Sequence, residues 1–234
     1  MAVRAGEIAT LPADRSARVG AWPRFARALV RLVFGVLFRM RLEGELPRSG
    51  PYLLVANHQG WADAFLLIAL LPLEPRVYFI GDRRATSHVW WKRIAIRSLG
   101  IVVPVARDGT SERGAVEAVL GLLAQGAVVG IFAEGRVSHA EAQLGPFQRG
   151  VGYLAIKAGV PVVPVWLRGT AELYIGRELV ARVGAPCAAP AVEPTKQATT
   201  EFAAELHARL GAIATPWAEP VGVQKRWRWL TDIL

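Results

Sequence analysis

The chain is poor in several residue types, and each shortage narrows what it can be. One cysteine, Cys187, stands among 234 residues, so no intramolecular disulfide can form; that suits a reducing compartment. No stretch approaches the ~20 apolar residues that a spanning helix needs. The most apolar early run, Leu32 to Phe38, is short and bracketed by Arg31 and Arg39. It begins too far into the chain, after too many charges, to suit a signal peptide. Low-complexity tracts and solenoid-period repeats are absent, and a hydrophobic content of 53% argues against disorder. There is no Gly-x-Ser-x-Gly elbow, so a serine triad of the hydrolase type is not expected. No zinc-finger or RNA-binding signature is present either.

What the chain does have is positive charge, +9 overall, which favours anionic partners. Only four of its 28 basic residues are lysine, a bias that genome composition can produce. Arg15 to Arg41 holds seven arginines and no acid. Within it Trp22, Phe25, Leu29, Leu32, Val33 and Val36 fall on one helical face and Arg24, Arg27 and Arg31 on the opposite one. An interfacial helix at a membrane has this pattern, and so does a surface helix packed on its own domain. Phe34 and Phe38 intrude on the arginine side and add apolar surface to be covered.

Residues 1–20 lack a hydrophobic period and are expected to form a poorly ordered arm. An amphipathic helix is expected over 21–41, an α/β domain over 42–214, and a Trp/Arg-rich tail over 215–234. In the domain, apolar runs predict strands at Tyr52–Ala56, Val77–Ile80, Ile101–Val105, Ala127–Phe132 and Val162–Leu167, with a further strand near the sheet edge at Leu179–Val183. Helices are predicted at Asp63–Leu71, Ser87–Ser98, Ser111–Gln125 and Arg149–Ala158, and from Thr195 to about Ile213. Gly126 and Gly159 stand where C-terminal caps belong. The alternation implies a single α/β domain with a central, mostly parallel sheet flanked by helices. In the tail, Trp217, Trp227 and Trp229 lie among Lys225, Arg226 and Arg228, which suits either a membrane boundary or a segment folded back over the core.

Four segments carry candidate chemistry. Asn57-His58-Gln59-Gly60-Trp61-Ala62-Asp63 follows the first buried strand, where ligands of parallel sheets bind. His58 there is a candidate general base, with Asp63 placed to orient its ring; the same spacing also suits a loop histidine beside an ordinary helix cap. Gly100 to Arg107 ends a strand in an arginine, which can clamp a phosphate or remain a solvated loop residue. Phe132-Ala133-Glu134-Gly135-Arg136-Val137-Ser138 brings an acid out of an apolar strand, then a glycine able to turn amides toward an anion, then a further positive charge. Val160-Pro161-Val162-Val163-Pro164-Val165 reads as a strand start, bulge or edge shaping a pocket wall. His139-Ala140-Glu141 lacks further clustered ligands, so a solvated loop is expected and no metal site.

Taken in order, these blocks resemble the glycerolipid acyltransferases, which include the 1-acyl-sn-glycerol-3-phosphate acyltransferases. N-H-x-x-x-x-D is matched by Asn57, His58 and Asp63, and the Gly-rich strand ending in Arg by Gly100, Ile101 and Arg107. F-P-E-G-T-R-S is matched by Phe132, Glu134, Gly135 and Ser138, but Ala133 replaces the proline and Arg136-Val137 inverts the Thr-Arg order. V-P-[IV]-[IV]-P-V is matched at Val160–Val165, and Phe147-Gln148-Arg149-Gly150 resembles F-K-[RK]-G. The resemblance spans about residues 50–170. It implies that His58 deprotonates an acceptor hydroxyl, that Asp63 orients His58, and that Asn57, Arg107, Glu134, Gly135, Arg136 and Ser138 bind substrate. The implied reaction transfers an acyl group from acyl-CoA or acyl carrier protein to a lysophospholipid, lysophosphatidate first among acceptors. It needs no cofactor and no metal, and takes place on the cytoplasmic face of the cell membrane. A lyso-ornithine lipid or other lysophospholipid is the alternative acceptor, and hydrolysis of an acyl thioester the alternative reaction. Nucleic acid is not an expected partner.

Overall fold

The computed structural model describes residues 21–72, 77–82, 102–105, 111–138, 140–141, 143–218 and 221–232. The expected arm over 1–20, the helix over 87–98, Gly100, Ile101, Arg107 and His139 lie outside the described residues.

Seven strands form one sheet: β1 (Arg39–Glu43), β2 (Tyr52–Ala56), β3 (Val77–Asp82), β4 (Val102–Val105), β5 (Val128–Phe132), β6 (Val162–Arg168) and β7 (Glu178–Val183). Their order is β1-β7-β6-β2-β5-β3-β4. The five strands from β6 to β4 run parallel. β7 turns back antiparallel to β6, and β1 runs parallel to β7. The sheet is thus mostly parallel, as expected, with a reversed pair at one side. β1 was not expected. Helix α1 (Ala21–Leu37) stops four residues short of the predicted 41, and Arg-Met-Arg-Leu-Glu continues as the edge strand. β7 therefore lies one strand in from the edge. β6 is not an edge strand either: Pro161 precedes it, and Pro164 sits inside it. The ladder to β7 begins only at Val165, one residue beyond that proline.

β2 occupies the centre because all five of its residues are apolar and both its faces are covered; every one is buried. Its side chains alternate between two cores. Tyr52, Leu54 and Ala56 join α2 (Ala62–Leu70), Phe34 and Phe38. Leu53 and Val55 face α3 (Ser111–Ala124), α4 (Arg149–Ala158) and α5 (Lys196–Ala212). Gly126 and Gly159 take the positive φ expected of helix ends, 84° and 63°. Thr195 caps α5 by accepting the amide of Ala198 at 3.1 Å.

Helix α1 answers both readings of its sequence. Phe34 is buried, and Ala26, Val30 and Leu37 pack against the same core, so the helix is docked on its own domain. The six residues assigned to its apolar face nevertheless point away, from 43% exposed at Val33 to 74% at Val36. No helix among the described residues is long and apolar enough to cross a membrane.

Candidate active site

The carboxyl ends of β5, β2 and β6 meet side by side, and the chain leaving β2 carries His58 across them. His58 Nδ1 lies 2.7 Å from Asp63 Oδ2. That same carboxylate oxygen accepts the backbone amides of Gln59 at 2.6 Å and Gly60 at 2.9 Å. Asp63 is completely buried. It does not cap its helix; the N-cap position is Trp61, which makes no side-chain cap. The carboxylate is instead turned back on the loop that holds His58. A carboxylate on Nδ1 fixes the proton there and leaves the Nε2 lone pair as the basic site. The imidazole also stacks on Phe132, with centroids 4.2 Å apart and planes at 14°. Phe79 stacks behind Phe132 at 6.2 Å. That stack requires Gly130, where a β-carbon would stand 2.5 Å from the Phe79 ring.

The third block clamps the backbone of His58 from both sides. The His58 amide donates to Glu134 Oε1 at 2.9 Å, and the His58 carbonyl accepts the Ser138 amide at 2.8 Å. Glu134 Oε2 accepts the Gly145 amide at 2.9 Å. Asn57 is tied equally firmly, its amide group giving to and taking from the backbone of Leu167 at 3.0 and 2.7 Å. Asn57 and Glu134 were expected among the substrate-binding residues. Both are buried, with their polar atoms committed to backbone, so they hold the loop rather than face a ligand. Gly135 takes the left-handed conformation, φ 68°, but its amide closes a turn onto Phe132 O at 3.2 Å instead of pointing outward. Arg136 is exposed beside this turn, and the Ser138 hydroxyl bonds locally to Ala140.

A second polar layer was not legible in the sequence. Gln59 is buried, accepts from the Thr170 hydroxyl at 3.1 Å, and donates to Ala140 O at 3.5 Å. Glu141, expected in a solvated loop, is largely buried. It accepts the Gly169 amide at 2.7 Å and pairs with Arg177 at 3.3 Å. Burial pushes the Glu141 carboxyl above its ordinary range; the Gly169 amide and the Arg177 guanidinium pull it back without cancelling the shift. Arg177, 2% exposed, also donates to Tyr174 Oη at 3.0 Å and lies 4.1 Å from the centre of the Trp217 ring. No sequence signal marks these residues, because their partners come from four separate segments.

The chain is an α/β protein whose mostly parallel sheet carries a histidine–carboxylate pair at its carboxyl edge, where ligands of such sheets bind. The profile of the family described as Acyltransferase matches residues 38–168, and the chain belongs to that family. It is 30% identical over 152 residues to 1-acyl-sn-glycerol-3-phosphate acyltransferase alpha of Homo sapiens, covering 64% of this chain and 52% of that one. It is 33% identical over 147 residues to the lyso-ornithine lipid O-acyltransferase of Brucella abortus, covering 61% and 52%. The chain thus spans about half the length of these curated relatives. Its fold is similar to that of the 1-acyl-sn-glycerophosphate acyltransferase PlsC of Thermotoga maritima. That match has a TM-score of 0.63 and 19% identity, covering 84% of this chain and 81% of that one.

Proposed function

We propose that the protein transfers a fatty acyl group from acyl-CoA or acyl carrier protein to the free hydroxyl of 1-acyl-glycerol-3-phosphate, giving phosphatidate. The observation that carries this reading is the 2.7 Å contact between His58 Nδ1 and buried Asp63, which prepares Nε2 as a base. The acceptor hydroxyl gives its proton to Nε2 as its oxygen attacks the thioester carbonyl. The tetrahedral adduct collapses, the carbon–sulfur bond breaks, and the imidazolium returns the proton to the leaving thiolate. The thioester is already activated, so the step needs neither cofactor nor metal. No acyl–enzyme forms; Cys187 is buried on the opposite side of the sheet from α2.

Arg107 and Arg136 are assigned to the acceptor's phosphate, as point or bidentate partners. The outward apolar face of α1, flanked by arginines, supports binding at an anionic membrane surface, for which we assign the cytoplasmic face. A second acceptor reading rests on a specific departure. The third block carries Arg136-Val137 where the family has Thr-Arg, and one relative is named for lyso-ornithine lipid.

The test is transfer of radiolabelled oleate from oleoyl-CoA to lysophosphatidate in mixed micelles, with wild type and His58→Ala. Labelled phosphatidate from wild type, falling roughly 10²–10⁴-fold in the variant, is expected. Free oleate without acylated lipid, across a panel of lysolipid acceptors, would mean a hydrolase instead.

A further inference from the structure

The C-terminal segment folds back over the core yet leaves its largest side chains in solvent. Leu230 is buried in the core that holds Phe34 and Phe38. Its carbonyl accepts the indole N–H of Trp61 at 3.0 Å, and Thr231 Oγ1 accepts the Leu173 amide at 2.9 Å. The segment is therefore fixed in place. Trp227 and Trp229 are nevertheless 53% and 59% exposed, with ring centroids 6.0 Å apart. Trp227 has φ 62°, the only positive φ at a non-glycine among the described residues. A bulky residue in the left-handed region is sterically unfavourable and persists only where its surroundings over-determine it. Here the turn closed by Leu230 N on Trp227 O fixes it. Two solvent-facing indoles on a tethered, strained turn add nothing to the core.

The tail also adjoins α1. The Gly176 amide bonds the Leu37 carbonyl at the end of α1, and the next residue back, Ile175, bonds Arg226 O at 3.0 Å. Trp61, held by Leu230, packs edge-on against Phe34 of α1 at 6.2 Å. The tail thus adjoins the C-terminal end of α1, the helix whose other face is apolar and exposed. Basic residues outnumber acids on α1 and the tail, which includes the exposed Asp232. α1 contains three arginines and no acid. In the tail, Lys225 and Arg228 share Glu172, and Arg226 remains exposed.

We propose that the segment Lys225–Asp232 is a second lipid-contacting element, adjoining α1, and that its partner is a bilayer surface rich in anionic headgroups. This rests on the membrane reading of α1 given above. Indoles suit the boundary between headgroups and acyl chains, and Arg226 beside them suits the headgroup anions. The tail is bonded to Trp61, three residues from His58, so lipid contact here brings the catalytic loop to the bilayer from which an acceptor is drawn.

The experiment compares full-length wild type, Trp227→Ser/Trp229→Ser and Arg226→Glu, each checked for native circular dichroism. Binding is titrated on vesicles of phosphatidylcholine alone and of equimolar phosphatidylcholine and phosphatidylglycerol, and sedimentation reports self-association. The double variant is expected to lose on the order of tenfold in partitioning to the anionic vesicles. Arg226→Glu should weaken binding to anionic vesicles while leaving neutral ones unaffected. Unchanged partitioning of a folded double variant overturns the proposal. So does loss of self-association with vesicle binding intact, which would make the tail a contact between copies. Oleoyl transfer in detergent micelles separates the two readings. A double variant active there but unaltered on vesicles refutes only the tail's role. Inactive proteins whose vesicle binding still depends on the tail refute only the acyl transfer.

Discussion

The carboxylate of Glu134 lies under the backbone of His58, accepting its amide at 2.9 Å while its other oxygen accepts that of Gly145. An acid at this point of a strand end invites assignment to a ligand. Its geometry makes it a positioning residue that acts through His58, and the two roles predict different kinetics. Glu134→Gln places an N–H₂ against one backbone donor and leaves that donor unpaired, at a cost of about 1–3 kcal/mol. We expect a lower melting temperature and a lower kcat, with KM for the acceptor nearly constant. A raised KM with native thermal stability would restore Glu134 to the substrate site.

Asp63 is bound more tightly than orientation of one ring requires. Its Oδ2 accepts from two backbone amides in addition to facing His58. Asp63→Asn keeps the shape, but an amide oriented to satisfy Gln59 and Gly60 weakens the charge that stabilises the imidazolium. The expected result is a folded protein whose kcat falls by at least about 10²-fold, in the range of a lost general base. Activity close to wild type would show that His58 works unaided.

The central strands were readable because they are apolar runs, as at Tyr52–Ala56 and Val162–Leu167. β1 was not readable. Arg39, Arg41 and Glu43 make it look like helix end or loop, and only pairing with β7 and the Glu43–Arg182 contact at 2.7 Å give it a place. The spacing of His58 and Asp63 left their pairing open, and it was the ordered set of blocks resembling the glycerolipid acyltransferases that pointed to it. Asn57 and Glu134 were expected to bind substrate, and the fold gives their polar atoms backbone partners that the sequence did not foretell. Sequence identifies a polar residue at a strand end; only the fold decides whether backbone or ligand meets it. Gln59, Glu141 and Arg177 have no local signature at all.

Arg177 and Glu141 form a buried pair that ties the loop after the third block to the end of β6. Arg177→Ala leaves Glu141 buried without its cation and should destabilise the fold by about 3–5 kcal/mol. The pH dependence has a definite sign. The Glu141 carboxyl is raised by burial, so the folded state holds its proton more readily than the unfolded one. Its contribution is fully present below the ordinary carboxylate range and is lost as pH rises through the raised value. Denaturant titrations across this window should show wild type losing ground to Glu141→Gln as pH rises. A difference independent of pH would mean that the carboxyl is not raised.

Cys187 tests the absence of an acyl–enzyme. It is 7% exposed, its backbone pairs with Val162, and burial raises its thiol pKa, so little thiolate is present to react. Alkylation of the native protein should be slow and should accelerate on unfolding, and Cys187→Ala should keep full turnover. Loss of activity in a folded Cys187→Ala protein, or a labelled thioester on Cys187, would require a different mechanism.

A base alone does not choose among acceptors, because it can deprotonate any hydroxyl presented to it, so the proposed phosphate ligands Arg107 and Arg136 carry the test of acceptor identity. Arg136 is exposed on the turn through Gly135, two residues after the buried Glu134. If it binds a phosphate dianion, Arg136→Ala should raise KM for lysophosphatidate by about tenfold or more, in line with loss of a charge-assisted contact, with little change in kcat. Arg107→Ala should act in the same direction. A zwitterionic lyso-ornithine acceptor offers no phosphate, so its KM should respond weakly to either change. Running both acceptors against both variants therefore identifies the substrate by its dependence on charge. A KM for lysophosphatidate that ignores both arginines would remove phosphate recognition from the site and favour the ornithine lipid.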